Sequence, residues 1–421
     1  MADSFDEASA LALDLDDPLR QYRGEFLLPH ADDGRPVAYL CGHSLSLQPR
    51  SVKALVVAEL DDWARLGVEG HFRGRSPWYP YHEQFREVGA RLVGAVPGEV
   101  VMMNSLTVNL HLMLATFFRP AGRRTCILID EPSFPSDRYA VATHLQQRGI
   151  DPSSHLVTIG PRPGETWLHE EAVEKLLAER GEGIAVMLFS GVNYLTGQVY
   201  DMERLTKAAH AAGCVVGWDL AHAAGNVVLR LHDWNVDFAP WCSYKYLNSG
   251  PGAVGGCFVH ERHGRNHALS RLAGWWGTDP ATRFQMENAD FVPQPGAEGW
   301  QVSNPPIFAM APLRASLALF DEVGMVALRN NSEALTGYLL YLLDQLPTGR
   351  FELITPREPG QRGCQVSILV HQRPRELMQA LEREGVICDF REPNVIRVAP
   401  VPLYNSFEDV WRFVQILSQN Q

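Results

Sequence analysis

At 421 residues the chain exceeds the roughly 250–300 at which one hydrophobic core usually stops growing, so two domains are expected. Hydrophobic residues at 46% and charged residues at 20% lie near the globular average, which excludes a disordered chain. A formal net charge of -12, with no long run of Lys or Arg, excludes nucleic acid or an anionic membrane as the main partner and leaves a small-molecule ligand.

The N-terminus, MADSFDEASALALDLDD, is acidic and lacks the basic-then-apolar order of a secretory signal. No run of about 18 apolar residues follows, so a cytosolic protein is expected. Beyond it, short β-branched runs alternate with longer amphipathic segments, the pattern of an α/β fold with a mainly parallel central sheet flanked by helices. The segment MNSLTVNLHLML passes from a possible strand end into an apolar helix beginning near Thr107. Backbone N–H groups at that helix start, with the Ser105 and Thr107 hydroxyls, form either an anion site or an ordinary N-cap. Strands are predicted at 125–129, 184–189, 214–218, 238–242 and 256–260, and a surface helix at 201–212 between Asp201 as N-cap and Gly213 as stop. PQPGAEG at 293–299 reads as a loop. From about residue 306 long helical patterns lead to a mixed stretch at 351–370 and a helix at 375–384, a smaller α+β domain at 306–421. The large domain then spans 51–305, and residues 1–50 form a segment packing with the small domain. Seven cysteines stand singly in apolar stretches, most of them read as buried thiols, and no clustered ligand spacing calls for a metal.

Chemistry gathers at two strand ends. VVGWDLAHAAGN runs from a buried strand into Asp219 and His222, at the carboxyl edge where open α/β sheets bind ligands. Lys245, in SYKYLNSGPG, follows the next strand and leaves the sheet at the same edge. A buried carboxylate needs a cationic or hydrogen-bonding partner, which a protonated pyridine nitrogen supplies. A lysine partly desolvated among aromatics is suited to forming a Schiff base. Pyridoxal phosphate needs both groups. Taken singly, Asp219 reads as a turn residue, Lys245 as a surface charge and His222 as a core histidine, so the conjunction carries the inference. Gly250, Gly252 and Gly255 fit G-x-G-x-x-G but precede a strand, so they read as a turn behind Lys245 rather than a dinucleotide fingerprint.

The segments VEGHF, NSLTVNLH, FPSDRY, GWDLAHAAGN, CSYKYLN, GWWG, SNPP and IRVAPVPLYN, in that order between about Leu40 and Tyr404, resemble the kynureninase family. The resemblance implies the fold-type-I pyridoxal-phosphate architecture of the aminotransferase superfamily. It implies that Lys245 forms the Schiff base and moves the Cα proton, while Asp219 keeps the pyridine nitrogen protonated. Phe134 would stack on the cofactor ring, with Asp137 and His222 nearby. Leu106, Thr107 and Tyr244 would hold the phosphate, and Trp275 and Asn304 from a neighbouring subunit would close the site, which implies a homodimer. Arg397 would clamp the substrate α-carboxylate with its planar fork. Ser44, His71, Trp276, Ser303 and Asn304 would line the substrate pocket. The implied reaction is hydrolytic Cβ–Cγ cleavage of L-kynurenine or 3-hydroxykynurenine to alanine and an anthranilate, with Tyr244 as candidate proton donor.

One loop departs from the family's G-N-S-L-G: this chain reads GHSLS, with His43 and Ser46. If the second glycine position needs a positive φ, Ser46 is strained there. A related enzyme that removes sulfur from an amino acid would share Lys245 and Asp219 but needs a mobile nucleophilic cysteine, for which Cys364 is the candidate. The third reading is a cofactor-binding homologue without turnover.

Overall fold

The run IAVMLFS at Ile184–Ser190 is buried from its first residue to its sixth. Continuous apolar runs of this kind suit strands covered on both faces. In the computed structural model, which describes residues 6–287 and 290–420, it is an interior strand of a seven-stranded sheet. Residues 1–5 of the N-terminal segment lie outside the described residues.

The strands are β1 (Val100–Met102), β2 (Cys126–Asp130), β3 (Leu156–Ile159), β4 (Ile184–Ser190), β5 (Val215–Asp219), β6 (Phe238–Trp241) and β7 (Gly256–Val259). Their order across the sheet is β1-β7-β6-β5-β4-β2-β3. All neighbours pair in parallel except β7, which runs antiparallel to both β6 and β1. The five expected strands are present, displaced at their ends by a residue or two. The sequence reading marked only a possible strand end where β1 finishes and did not find β3; VVM and LVTI are too short to display a period.

The helix Met202–Ala211 forms as its punctuation requires. The Asp201 carboxylate accepts the Arg204 N–H at 3.0 Å, and Gly213 takes a left-handed φ of +78° just beyond the end. Trp218 of β5 donates its indole N–H to Thr206 Oγ1 at 3.0 Å, docking this helix on the sheet. The helix Leu106–Phe117 starts one residue before Thr107 and buries Leu110, Leu112, Met113 and Leu114.

A second, four-stranded antiparallel sheet orders Phe351–Leu353, Val366–Val370, Val395–Val398 and Asp389–Arg391. Its apolar cluster includes residues of Met325–Leu343, Pro374–Arg383 and Phe407–Gln419. N-terminal residues join it: Ala38–Tyr39 pairs in parallel with Val386–Ile387, and the Asp14 carboxylate accepts the N–H groups of Phe407 and Glu408 at 2.6 and 3.1 Å. The long helix Ile307–Val323 places Met310, Leu313 and Leu317 in the core of the large sheet. All seven cysteines are free thiols, four of them buried. No helix of the described residues is long and apolar enough to cross a membrane.

Candidate active site

The carboxyl ends of β4 and β5 open onto a cavity of about 140 Å³ lined by Leu106, Thr107, Phe134, Asp137, Asp219, His222, Tyr244 and Lys245, among others. Eight of the residues nominated from sequence therefore meet in one place. The chain has four lysines, and Lys53, Lys175 and Lys207 are exposed, which leaves Lys245 as the one held against the fold. Its Nζ lies 3.0 Å from His222 Nε2 and 5.9 Å from the centre of the Phe134 ring. Burial drives the His222 pKa well below its ordinary value, and the nearby Lys245 charge adds to the effect. A neutral imidazole thus accepts from the ammonium. His222 Nδ1 is buried without a protein partner.

Asp219 ends β5, buried, with Oδ1 accepting the Ala221 N–H at 2.7 Å. Asp137 adjoins it. Burial raises both carboxyl pKa values, and the Asp219 charge raises Asp137 further. Below them Asp130 accepts from Ser190 N at 3.1 Å and Ser190 Oγ at 2.6 Å. Ser105, read from the sequence as part of an anion site or an N-cap, also lines the cavity, as do Ser190, Ser136, Val192, Tyr194 and Ala221, which the sequence reading did not place in the site. The signal available for Ser190 was its position as a polar residue closing an apolar strand, as Asp219 closes β5.

The first-turn amides of Leu106–Phe117 have no acceptor within their own helix. Asn104, at φ +49°, turns the chain into that helix, and its carbonyl accepts the Gly255 N–H at 2.6 Å. A Cβ on Gly255 would stand 2.7 Å from the Trp241 carbonyl oxygen and 3.2 Å from Leu106 N. The glycine therefore permits a close approach. Thr107 Oγ1 and Ser136 Oγ, 2.9 Å apart, link this helix start to that of Pro135–Gln147. Two helix starts and two hydroxyls make a seat for an anion.

The other nominated residues lie outside the cavity lining. His71, Trp275 and Trp276 belong to an aromatic cluster with Phe72, Tyr79 and Phe284, in which Trp276 is buried and Trp275 is 47% exposed. Ser303 and Asn304 are exposed. Ser44 sits in the turn whose Ser46 N–H donates to the Tyr244 carbonyl. Arg397 is buried, its guanidinium engaged by the Asp389 carboxylate and the Tyr194 carbonyl. Ser46 does not have a positive φ, so the anticipated strain is absent. Its hydroxyl instead lies 3.0 Å from Tyr404 Oη and gives that buried phenol a partner.

Comparison with known proteins places this geometry. The chain is 55% identical over 416 residues to a kynureninase of Koribacter versatilis, covering 98% of each. It is 55% identical over 411 residues to a kynureninase of Myxococcus xanthus, covering 98% of this chain and 96% of the relative. The chain belongs to the kynureninase family. Residues 328–417 match the kynureninase C-terminal domain. Cysteine desulfurases of Escherichia coli and Thermococcus onnurineus share the kynureninase-family fold seen here at 18% identity, with TM-scores of 0.74 and 0.75, covering 95% and 96% of this chain. The architecture is the fold-type-I one that the resemblance implied.

In this kynureninase-family chain Cys364 is 1% exposed, and burial pushes its thiol up to about 12. It is not the mobile nucleophile a desulfurase needs. Glu99, His232 and His260 approach one another at the opposite edge of the sheet. Protein donors fill that carboxylate: the N–H groups of Val96 and Glu261, and His232 Nδ1. The G-x-G-x-x-G glycines precede β7, Gly250 and Gly252 having φ of +79° and +74°, as the turn reading requires.

The residues present fit pyridoxal phosphate. A buried carboxylate pair stands where a ring nitrogen would meet it, an aromatic face lines the same cavity, and an anion seat lies beside the amine. Gly255→Ala should weaken cofactor binding at least about tenfold and lower Tm, because the new methyl meets backbone on both sides. Apoprotein titration with the cofactor checks it; unchanged affinity would place the phosphate elsewhere.

Proposed function

We propose that this chain hydrolyses the Cβ–Cγ bond of L-kynurenine or a ring-hydroxylated kynurenine, giving L-alanine and an anthranilate, in tryptophan catabolism. The observation that carries the reading is the convergence of Lys245, Asp219, Phe134 and the helix start at Leu106 on one cavity, in a chain 55% identical to kynureninases over nearly its whole length.

Bound there, pyridoxal phosphate supplies an electron sink for the charge left when a proton leaves the substrate Cα. Lys245 Nζ holds the aldehyde end and carries that proton. Asp219, in its dry setting, keeps a proton on the ring nitrogen. Phe134 presents an apolar face to the ring, and the first-turn amides of Leu106 and Thr107 hold the phosphate without needing a cation. Tyr244, whose hydroxyl is kept protonated by burial, would donate the proton to Cβ as the Cβ–Cγ bond breaks. Arg397 binds the α-carboxylate.

The aromatic cluster of His71, Trp275 and Trp276, with Ser303 and Asn304, lies outside the single-chain cavity. We assign these residues to the ring pocket of a second copy, in a cytosolic homodimer with shared sites. The test is kynurenine added to the purified holoenzyme with anthranilate fluorescence followed. Release of anthranilate with an equal amount of alanine is expected, and the absence of both products overturns the reading. A kcat/KM for 3-hydroxykynurenine within about tenfold of that for kynurenine is expected, since an imidazole and an amide in the pocket can bond a phenol.

A further inference from the structure

Arg397 is only 1% exposed, and its fork is already filled. Nε donates to Asp389 Oδ2 at 2.6 Å, a second nitrogen meets the same oxygen, and the third donates to the Tyr194 carbonyl. Arg391 Nε also reaches that Asp389 oxygen, at 3.0 Å. An arriving α-carboxylate would therefore meet a guanidinium that already carries a carboxylate. Two carboxylates on one fork in a dry site repel each other, so Asp389 must give up part of its hold.

Beside it lies His43, also 1% exposed, with neither ring nitrogen hydrogen-bonded. Buried polar atoms in this state are rare and costly. His43 Nε2 is 3.9 Å from Asp389 Oδ2, about 1 Å beyond a charge-assisted hydrogen bond. On its other side the ring centre is 6.5 Å from that of His222, the imidazole holding Lys245. The charged and titratable groups around it are Asp389, which favours a charged imidazole, and Arg397, Lys245 and His222, which oppose it; Arg391 stands behind Asp389. Burial outweighs Asp389 while the fork is closed, and holds the His43 pKa down to about 4, so the ring is neutral at pH 7.

Resting on the reading of Arg397 as the carboxylate clamp, we propose that His43 receives Asp389 when a substrate carboxylate takes the Arg397 fork, and takes up one proton as it does so. A proton on His43 would offset the carboxylate charge that Asp389 brings to it, and both unpartnered ring nitrogens are free to take part. His43 is a positioning residue, since it acts through Asp389 and Arg397. Because the bound state holds more protons than the free state, affinity falls as pH rises through the range where His43 is charged only in the complex. The fall approaches tenfold per pH unit.

The experiment titrates the holoenzyme with L-alanine, an α-amino acid with no γ-carbonyl to cleave, by calorimetry in buffers of different ionisation enthalpy. Wild type should take up close to one proton more than His43→Asn, whose side chain hydrogen-bonds but cannot be charged. The affinity of the variant should also vary less with pH. If His43→Asn does not fold, His43→Gln gives the same comparison. Equal proton uptake in wild type and variant overturns the proposal. Arg397→Gln separates the two ideas: if it leaves alanine affinity unchanged, the clamp reading fails, whereas if it weakens alanine while proton uptake does not depend on His43, only the His43 proposal fails.

Discussion

Replacing Lys245 by alanine should reduce kynurenine turnover by about 10³-fold or more, the scale expected when the group that carries the proton in the reaction is removed. The argument rests on position. Lys245 leaves the sheet at the same edge as Asp219, and its Nζ is held by the neutral imidazole of His222 at 3.0 Å, within the cavity that also contains the Phe134 ring. The other three lysines are exposed and cannot substitute. Borohydride reduction of the wild-type holoenzyme, followed by mass spectrometry, should find the cofactor mass on the peptide containing SYKYLNSGPG. In Lys245→Ala that label should be lost while the melting temperature stays close to that of wild type. Normal turnover by Lys245→Arg, or the label on another lysine, would refute the assignment.

Much of this was legible in the chain because the large sheet writes itself as local pattern. CILID, IAVMLFS and VVGWD are near-continuous apolar runs, and each ends in a polar residue at the carboxyl edge where the cavity lies. Helix 202–211 was legible from Asp201 and Gly213 for the same reason. What local pattern does not encode is pairing across distance. That Asp389 would occupy the Arg397 fork depends on the register between Asp389–Arg391 and Val395–Val398, and on Tyr194 arriving from the other sheet. The sequence presented Arg397 as a free clamp, and packing closed it. Ser46 shows the converse: a residue expected to be strained turns out to partner Tyr404, more than 350 residues away. His71 and the GWWG and SNPP segments were nominated by resemblance, and one chain alone leaves them away from Lys245, because their partner surface is not on the same chain in our reading.

Asp219→Asn should move stability and function in opposite directions. In the protein without cofactor, Asp219 and Asp137 are buried together and both carboxyl pKa values are raised, by burial first and then, for Asp137, by the Asp219 charge. The sign follows directly. A carboxyl that binds its proton more tightly folded than unfolded contributes most below the ordinary value of 3.8, and that contribution is lost as pH rises through the raised folded value. At neutral pH the pair is therefore a liability to the apoprotein. An amide at 219 keeps an oxygen for the Ala221 N–H and removes a buried carboxylate whose charged form burial disfavours, so the apoprotein should melt higher, by about 2–4 °C for each kcal/mol relieved. The same change removes the charge that, in the proposed function, would keep a ring nitrogen protonated, and kcat should fall by about 10²–10³-fold, the scale of losing one preorganised electrostatic partner. Cofactor affinity should fall with it. Melting curves of the apoprotein at pH 5 and pH 8, beside single-turnover kinetics of the holoenzyme, read both effects. A variant that melts lower and reacts slower would indicate general damage, whereas a higher-melting, slower enzyme locates the function of Asp219 in its charge.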